Sequence, residues 1–91
     1  MKKIELDYPV TVGGKEIKQI TMRRPKVIDQ KAANKSATTD EDRETVLFAN
    51  LCEVSPEIID ELDMLDYQKV QETYTGFLSP AKKKSRPLAD S

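Results

Sequence analysis

The strongest constraint on this chain lies in residues 4–22, "IELDYPVTVGGKEIKQITM". Ile4, Leu6, Tyr8, Val10 and Val12 alternate with Glu5, Asp7 and Thr11, the period of a strand with one buried face. Gly13-Gly14 is a two-residue hairpin signal, and "KEIKQITMR" reads as the return strand. Pro9 lacks an N–H, so the first strand is read as an edge with Pro9 facing away from its partner. Ile17, Ile20 and Met22 do not share one parity, and a bulge near Lys18–Gln19 would return all three to one face. A hairpin alone is unstable in water, so helices must cover its apolar side.

The remaining chain supplies helical periods. "RRPKVIDQKAANK" reads as a first helix with Pro25 at its first position, a thin inner stripe of Val27, Ile28 and Lys31 or Ala32, and an end near Asn34–Lys35. A second, "TDEDRETVLFANLCEV", is capped by Thr39 or Asp40 and carries acids in its first turn, where the helix dipole favours them. Its inner stripe is Leu47, Phe48 and Leu51, with Val46 and Cys52 beside it. "SPEIIDEL" reads as a short third helix with Ser55 as cap, Pro56 first, and Ile58, Ile59 and Leu62 inward. "DMLDYQKVQETYTGFL" is the fourth, capped by Asp63 with Asp66 as a weak capping-box partner. Gly76 is its expected stop, which leaves Phe77 and Leu78 beyond the helix.

The fold class is therefore α+β: a two-stranded hairpin over about residues 3–23, then three to four small helices over about 25–78. Residues 1–78 form one domain. Residues 79–91, "SPAKKKSRPLADS", are read as a disordered basic tail. A chain of 91 residues buries only about 60% of its unfolded surface, so a partner or second copy would help complete the core.

Charge is segregated along the chain. Residues 1–39 hold nine Lys/Arg against four Asp/Glu, residues 40–72 two against eleven, and residues 73–91 four against one. Blocks of alternating sign favour self-contact or an amphoteric partner and do not form the continuous basic face that nucleic acid requires. No apolar run reaches the length that spans a bilayer, and the N-terminus lacks the apolar stretch of a signal peptide. The expected location is the cytoplasm.

Catalytic chemistry finds little support. The chain has no His, the usual general base and metal ligand. Its single Cys52 sits in an apolar stripe and reads as a core thiol. Gly13-Gly14 lacks the spacing of a phosphate loop. Asp40, Glu41, Asp42 and Glu44 lack the central Gly and closing Glu of a calcium loop. Asp60, Glu61, Asp63 and Asp66 could in principle form an acid pair, but two of them sit at helix boundaries, so capping is the favoured reading. No enzyme, cofactor or metal is expected. Arg23, Arg24 and Lys26 form a basic knot at the strand–helix junction, read as solvated or paired with acidic helix starts, or else as a dock for an acidic partner.

Two segments carry a resemblance. "LDYPVTVGGKEIKQITMRRPKV" resembles the opening of the tail assembly chaperones of P2- and Mu-type contractile-tailed phages, a hairpin of hydrophobic–Pro–Val, Gly-Lys and Ile running into an Arg-Pro junction. "LFANLCEVSPEIIDELDMLDYQKVQETYTGFL" is similar to the second half of that family. The likeness covers residues 4–78 through the order and spacing of its pieces. It implies a protein needed to build the tail and absent from the finished virion. It implies a client, the tape measure protein, held until tube subunits assemble around it. It also implies a short form, which this chain would be, and an extended form made by ribosomal frameshifting. Separately, consecutive lysine codons can form a slippery run of adenines, so "KKK" at 82–84 is the expected slip site.

A holdase needs ordered, exposed apolar surface. The expected partner face is the fourth-helix stripe Tyr67, Val70, Tyr74, Phe77 and Leu78, with Arg23 and Arg24 nearby. The stripe is also open to two other readings, as core and as a self-association surface. The rival function is a small adaptor or regulatory protein that binds nucleic acid or another protein through Arg23, Arg24, Lys26 and the basic tail. A third is an accessory protein that stays in the particle.

Overall fold

The hairpin turns on two glycines with positive φ, Gly13 at 61° and Gly14 at 78°, a conformation that suits the twist of tight hairpins. The computed structural model describes residues 1–80. The expected disorder beyond Pro80 and the "KKK" slip site fall outside the described residues. Strand β1 (Lys2–Val12) pairs antiparallel with β2 (Lys15–Met22). Four helices follow: α1 (Val27–Ser36), α2 (Asp40–Cys52), α3 (Pro56–Asp60) and α4 (Met64–Leu78). The α+β reading, a hairpin followed by helices, is the observed architecture.

The register holds one surprise. Glu5 pairs with Gln19 and Val10 with Ile17, so Leu6–Pro9 on β1 face only Lys18 on β2. The irregularity was expected near Lys18–Gln19, but the extra residues sit on the opposite strand. They carry Tyr8 out of the alternation, so it is 56% exposed while Ile4, Leu6 and Val10 are buried. Ile17, opposite Val10, still packs on the core beside buried Ile20 and Met22.

The covering helices explain the hairpin's stability. Phe48, Ala49, Leu51 and Cys52 of α2 join Ile59, Leu62 and Val70 in one core with the hairpin. Helix α4 lies along β1, and α2 lies between β2 and α1. The Arg23 amide donates to the Leu51 carbonyl at 3.0 Å, which fastens the end of β2 to α2. Each large side chain buried here contributes about 1.5–3 kcal/mol.

Helix ends mostly follow the sequence. Thr39 caps α2 by accepting from the Asp42 amide, and Asp63 caps α4 by accepting from the Leu65 amide. Ser55 and Pro56 open α3. Three readings need correction. Pro25 precedes α1 and Lys26 is its cap, because the Lys26 backbone is extended and its amide donates to the Asp29 carboxylate at 2.8 Å. The inner face of α1 is Asp29 and Ala33, four residues apart, which leaves Val27 and Ile28 71% and 65% exposed. Gly76 does not stop α4, which runs through Phe77 to Leu78. A helical Gly costs only about 1 kcal/mol. The break comes at Ser79, held extended at φ −77° and ψ 136°, as a residue before proline prefers.

Candidate functional site

Two buried carboxylates hold the surface in place. Asp66, fully buried, belongs to the inner stripe of α4, four residues before Val70, and does not serve the helix cap as expected. Its oxygens accept the amides of Asp7 at 2.9 Å and Tyr8 at 3.0 Å, the donors that β1 turns away from β2. Lys69 bridges it to Asp7, at 3.4 and 3.1 Å. Burial pushes the Asp66 carboxyl up, but the two amides and Lys69 outweigh it and hold it below the usual carboxylate range. Asp29 is the second. It takes a bidentate fork from Arg23 at 2.9 and 2.7 Å and is likewise held low, chiefly by that fork.

The expected basic knot is thus partly committed inside the fold. The Arg23 guanidinium is engaged by Asp29. Arg24 lies 5.9 Å over the Phe77 ring and joins the end of α4 to the β2–α1 junction. Lys26 is exposed.

The expected stripe on α4 divides by depth. Val70 is fully buried and supports the face from beneath, presenting no surface. Tyr67 and Tyr74 are half-buried and meet Phe48 edge to face at 5.8 and 5.5 Å between centroids. The Tyr67 hydroxyl donates to Glu44 at 2.8 Å, and burial with that carboxylate keeps it protonated. Phe77 packs on the core edge, and Leu78 is 59% exposed.

Beside this stripe a groove of about 350 Å³ opens between α1, α2 and α4. Ala33, Leu47, Phe48 and Tyr74 form its floor, with Gln30, Asn34, Asp40, Arg43 and Glu44 around it. Leu78 follows Tyr74 by one helical turn and extends the apolar line beyond the groove. Burial pushes the Cys52 thiol up to about 11, so it is a poor nucleophile. Among the described residues no three acidic, Cys or His side chains group as metal ligands. No helix there is long and apolar enough to cross a membrane. A shallow, apolar groove with a polar rim is suited to a peptide or helix.

The family model for phage tail assembly chaperone proteins, E, or 41 or 14, matches residues 3–79. The chain belongs to the phage tail assembly chaperone family. The match spans the hairpin and all four helices. Searches of curated proteins and of solved structures returned no match. Membership gives this chaperone a role in tail assembly through a tail protein partner.

Asp66 and Asp29 are the residues that sequence reasoning missed. The available signal was an acid inside each inner stripe, at four-residue spacing from Val70 and from Ala33.

Proposed function

We propose that this chaperone binds the tape measure protein and keeps it soluble until tube subunits enclose it. The reading rests on one observation: the groove floored by Leu47, Phe48 and Tyr74, with exposed Leu78 one helical turn past Tyr74 on α4. An amphipathic helix lays its apolar side into such a groove and leaves its polar side on the rim. The client is a long helical chain whose apolar faces self-associate when uncovered. Tyr74, Phe77 and Leu78 form the contact surface, Tyr67 and Val70 set its shape, and Arg24 fixes Phe77. Arg23 acts through Asp29 by holding α1 at the groove wall. The complex forms in the host cytoplasm and is released before the virion is complete.

Co-expression tests this reading. The tape measure protein of the same phage is produced with and without this chaperone, and its soluble fraction is measured. A rise in soluble tape measure protein, with co-purification of the two, is expected. Equal solubility with and without the chaperone would overturn it.

A further inference from the structure

Resting on the client assignment above, we propose that Glu44 makes the groove selective for a client helix that carries a lysine or arginine one helical turn from the large apolar side chain it buries. Glu44 lies on α2 three residues before Leu47 and four before Phe48, so its carboxylate and the groove floor share one face of that helix.

The carboxylate is half-buried and held in place by neutral donors. The Tyr67 hydroxyl donates to Oε1 at 2.8 Å, and the Gln71 side-chain amide donates to Oε2 at 3.3 Å, both from α4. Neither donor cancels its charge. Among the described residues no Lys or Arg forms an ion pair with Glu44. A carboxylate has about four acceptor positions, so about two remain for a further donor. The other charges on the lining are already matched. Arg43 pairs with Asp40 at 3.1 Å and donates to the Ala37 carbonyl at 3.2 Å. Gln30 and Asn34 are neutral, and among the described residues no lysine lines the groove. The groove therefore presents one unmatched negative charge, at a fixed point beside an apolar floor.

A helix laid over this floor takes the Glu44 carboxylate further from water. A charge so covered is costly unless a cation meets it. A Lys or Arg on the client supplies that cation, and its methylene stem lies over apolar surface on the way. Residues three or four apart on a helix stand about 5–6 Å apart, the same spacing that separates Glu44 from Leu47 and Phe48. A client helix running along α2 thus matches both points with one pair of residues. An acid or a neutral side chain at that place leaves Glu44 covered and unmatched. Apolar area supplies the affinity, and Glu44 supplies the choice of segment and its register.

Overlapping synthetic peptides of about 25 residues, long enough for several helical turns, are taken from the tape measure protein of the same phage. They compete with the whole tape measure protein for the full-length chaperone. Competing peptides should carry a Lys or Arg three or four residues from a large apolar residue. Replacing that cation by Gln should weaken binding to the wild type about tenfold, equivalent to about 1.4 kcal/mol. On Glu44→Gln, which keeps an acceptor for Tyr67, the same replacement should change binding less than about twofold. Glu44→Lys should reverse the preference toward a peptide with Glu at that place. Far-UV circular dichroism checks that both variants fold. A purely structural tie between α2 and α4 would weaken both peptides equally and show no coupling. Three results would overturn this inference and leave the client assignment standing: whole-protein binding that no such peptide competes for, a cation replacement that leaves wild-type binding unchanged, or a double-mutant cycle without coupling. A tape measure protein that does not bind the wild type at all would overturn both.

Discussion

Asp66 accepts the backbone amide of Tyr8 at 3.0 Å from 58 positions along the chain. That bond, with its twin from Asp7, explains why β1 leaves β2 at residues 6–9 and why Tyr8 faces solvent. A strand that leaves its ladder exposes amides that must find acceptors, and one buried carboxylate supplies both.

Asp66→Ala removes that acceptor and strands two part-buried amides. The expected loss is about 1–3 kcal/mol for an unsatisfied buried group, or a fall in melting temperature of about 4–8 °C per kcal/mol. Thermal unfolding checks it. Amide hydrogen exchange at Asp7 and Tyr8 should quicken more than exchange at Ile4 and Ile20.

The same carboxylates set the acid response. Asp66 and Asp29 are both held below the ordinary aspartate value of about 3.9 in the folded state. Their stabilisation is fully present above that value and is lost as pH falls through their lower folded values. Urea unfolding between about pH 5 and pH 2 should show stability falling with acid, and Asp66→Asn should flatten the decline.

Gly76→Ala should stabilise the protein. Gly76 is helical, its φ is not positive, and an added Cβ would meet nothing within 4 Å. The expected gain is about 0.5–1 kcal/mol, read as a shift of the urea midpoint with the slope unchanged.

Arg23→Lys should cost about 1 kcal/mol, because an ammonium cannot reproduce the bidentate fork on Asp29. Chemical denaturation of the two proteins measures the difference.

Much of this fold is legible in local patterns. The Gly13-Gly14 turn, the caps at Thr39 and Asp63, and the stripe of Phe48 and Leu51 depend on neighbours within a few residues, and sequence period reports such neighbours. The exposure of Tyr8, Val27 and Ile28 is not local. It follows from Asp66 and Asp29 taking inward positions that apolar residues would ordinarily hold, and each acid finds donors that periodicity does not reveal. The stripe on α4 was legible as a stripe. Its division into buried Val70, half-buried Tyr74 and exposed Leu78 depends on how far α2 and the hairpin reach along α4.

An apolar groove that holds the client is tested most directly by a pull-down of tape measure protein at low and at high salt. Wild type and Leu78→Asp are compared, since Leu78 is exposed and its replacement leaves the core intact. The wild-type complex should survive high salt, as contacts made by buried apolar area do, and Leu78→Asp should retain less client at both salts. A complex that dissolves at high salt and is indifferent to Leu78→Asp would contradict it and place the binding energy in the charged surface.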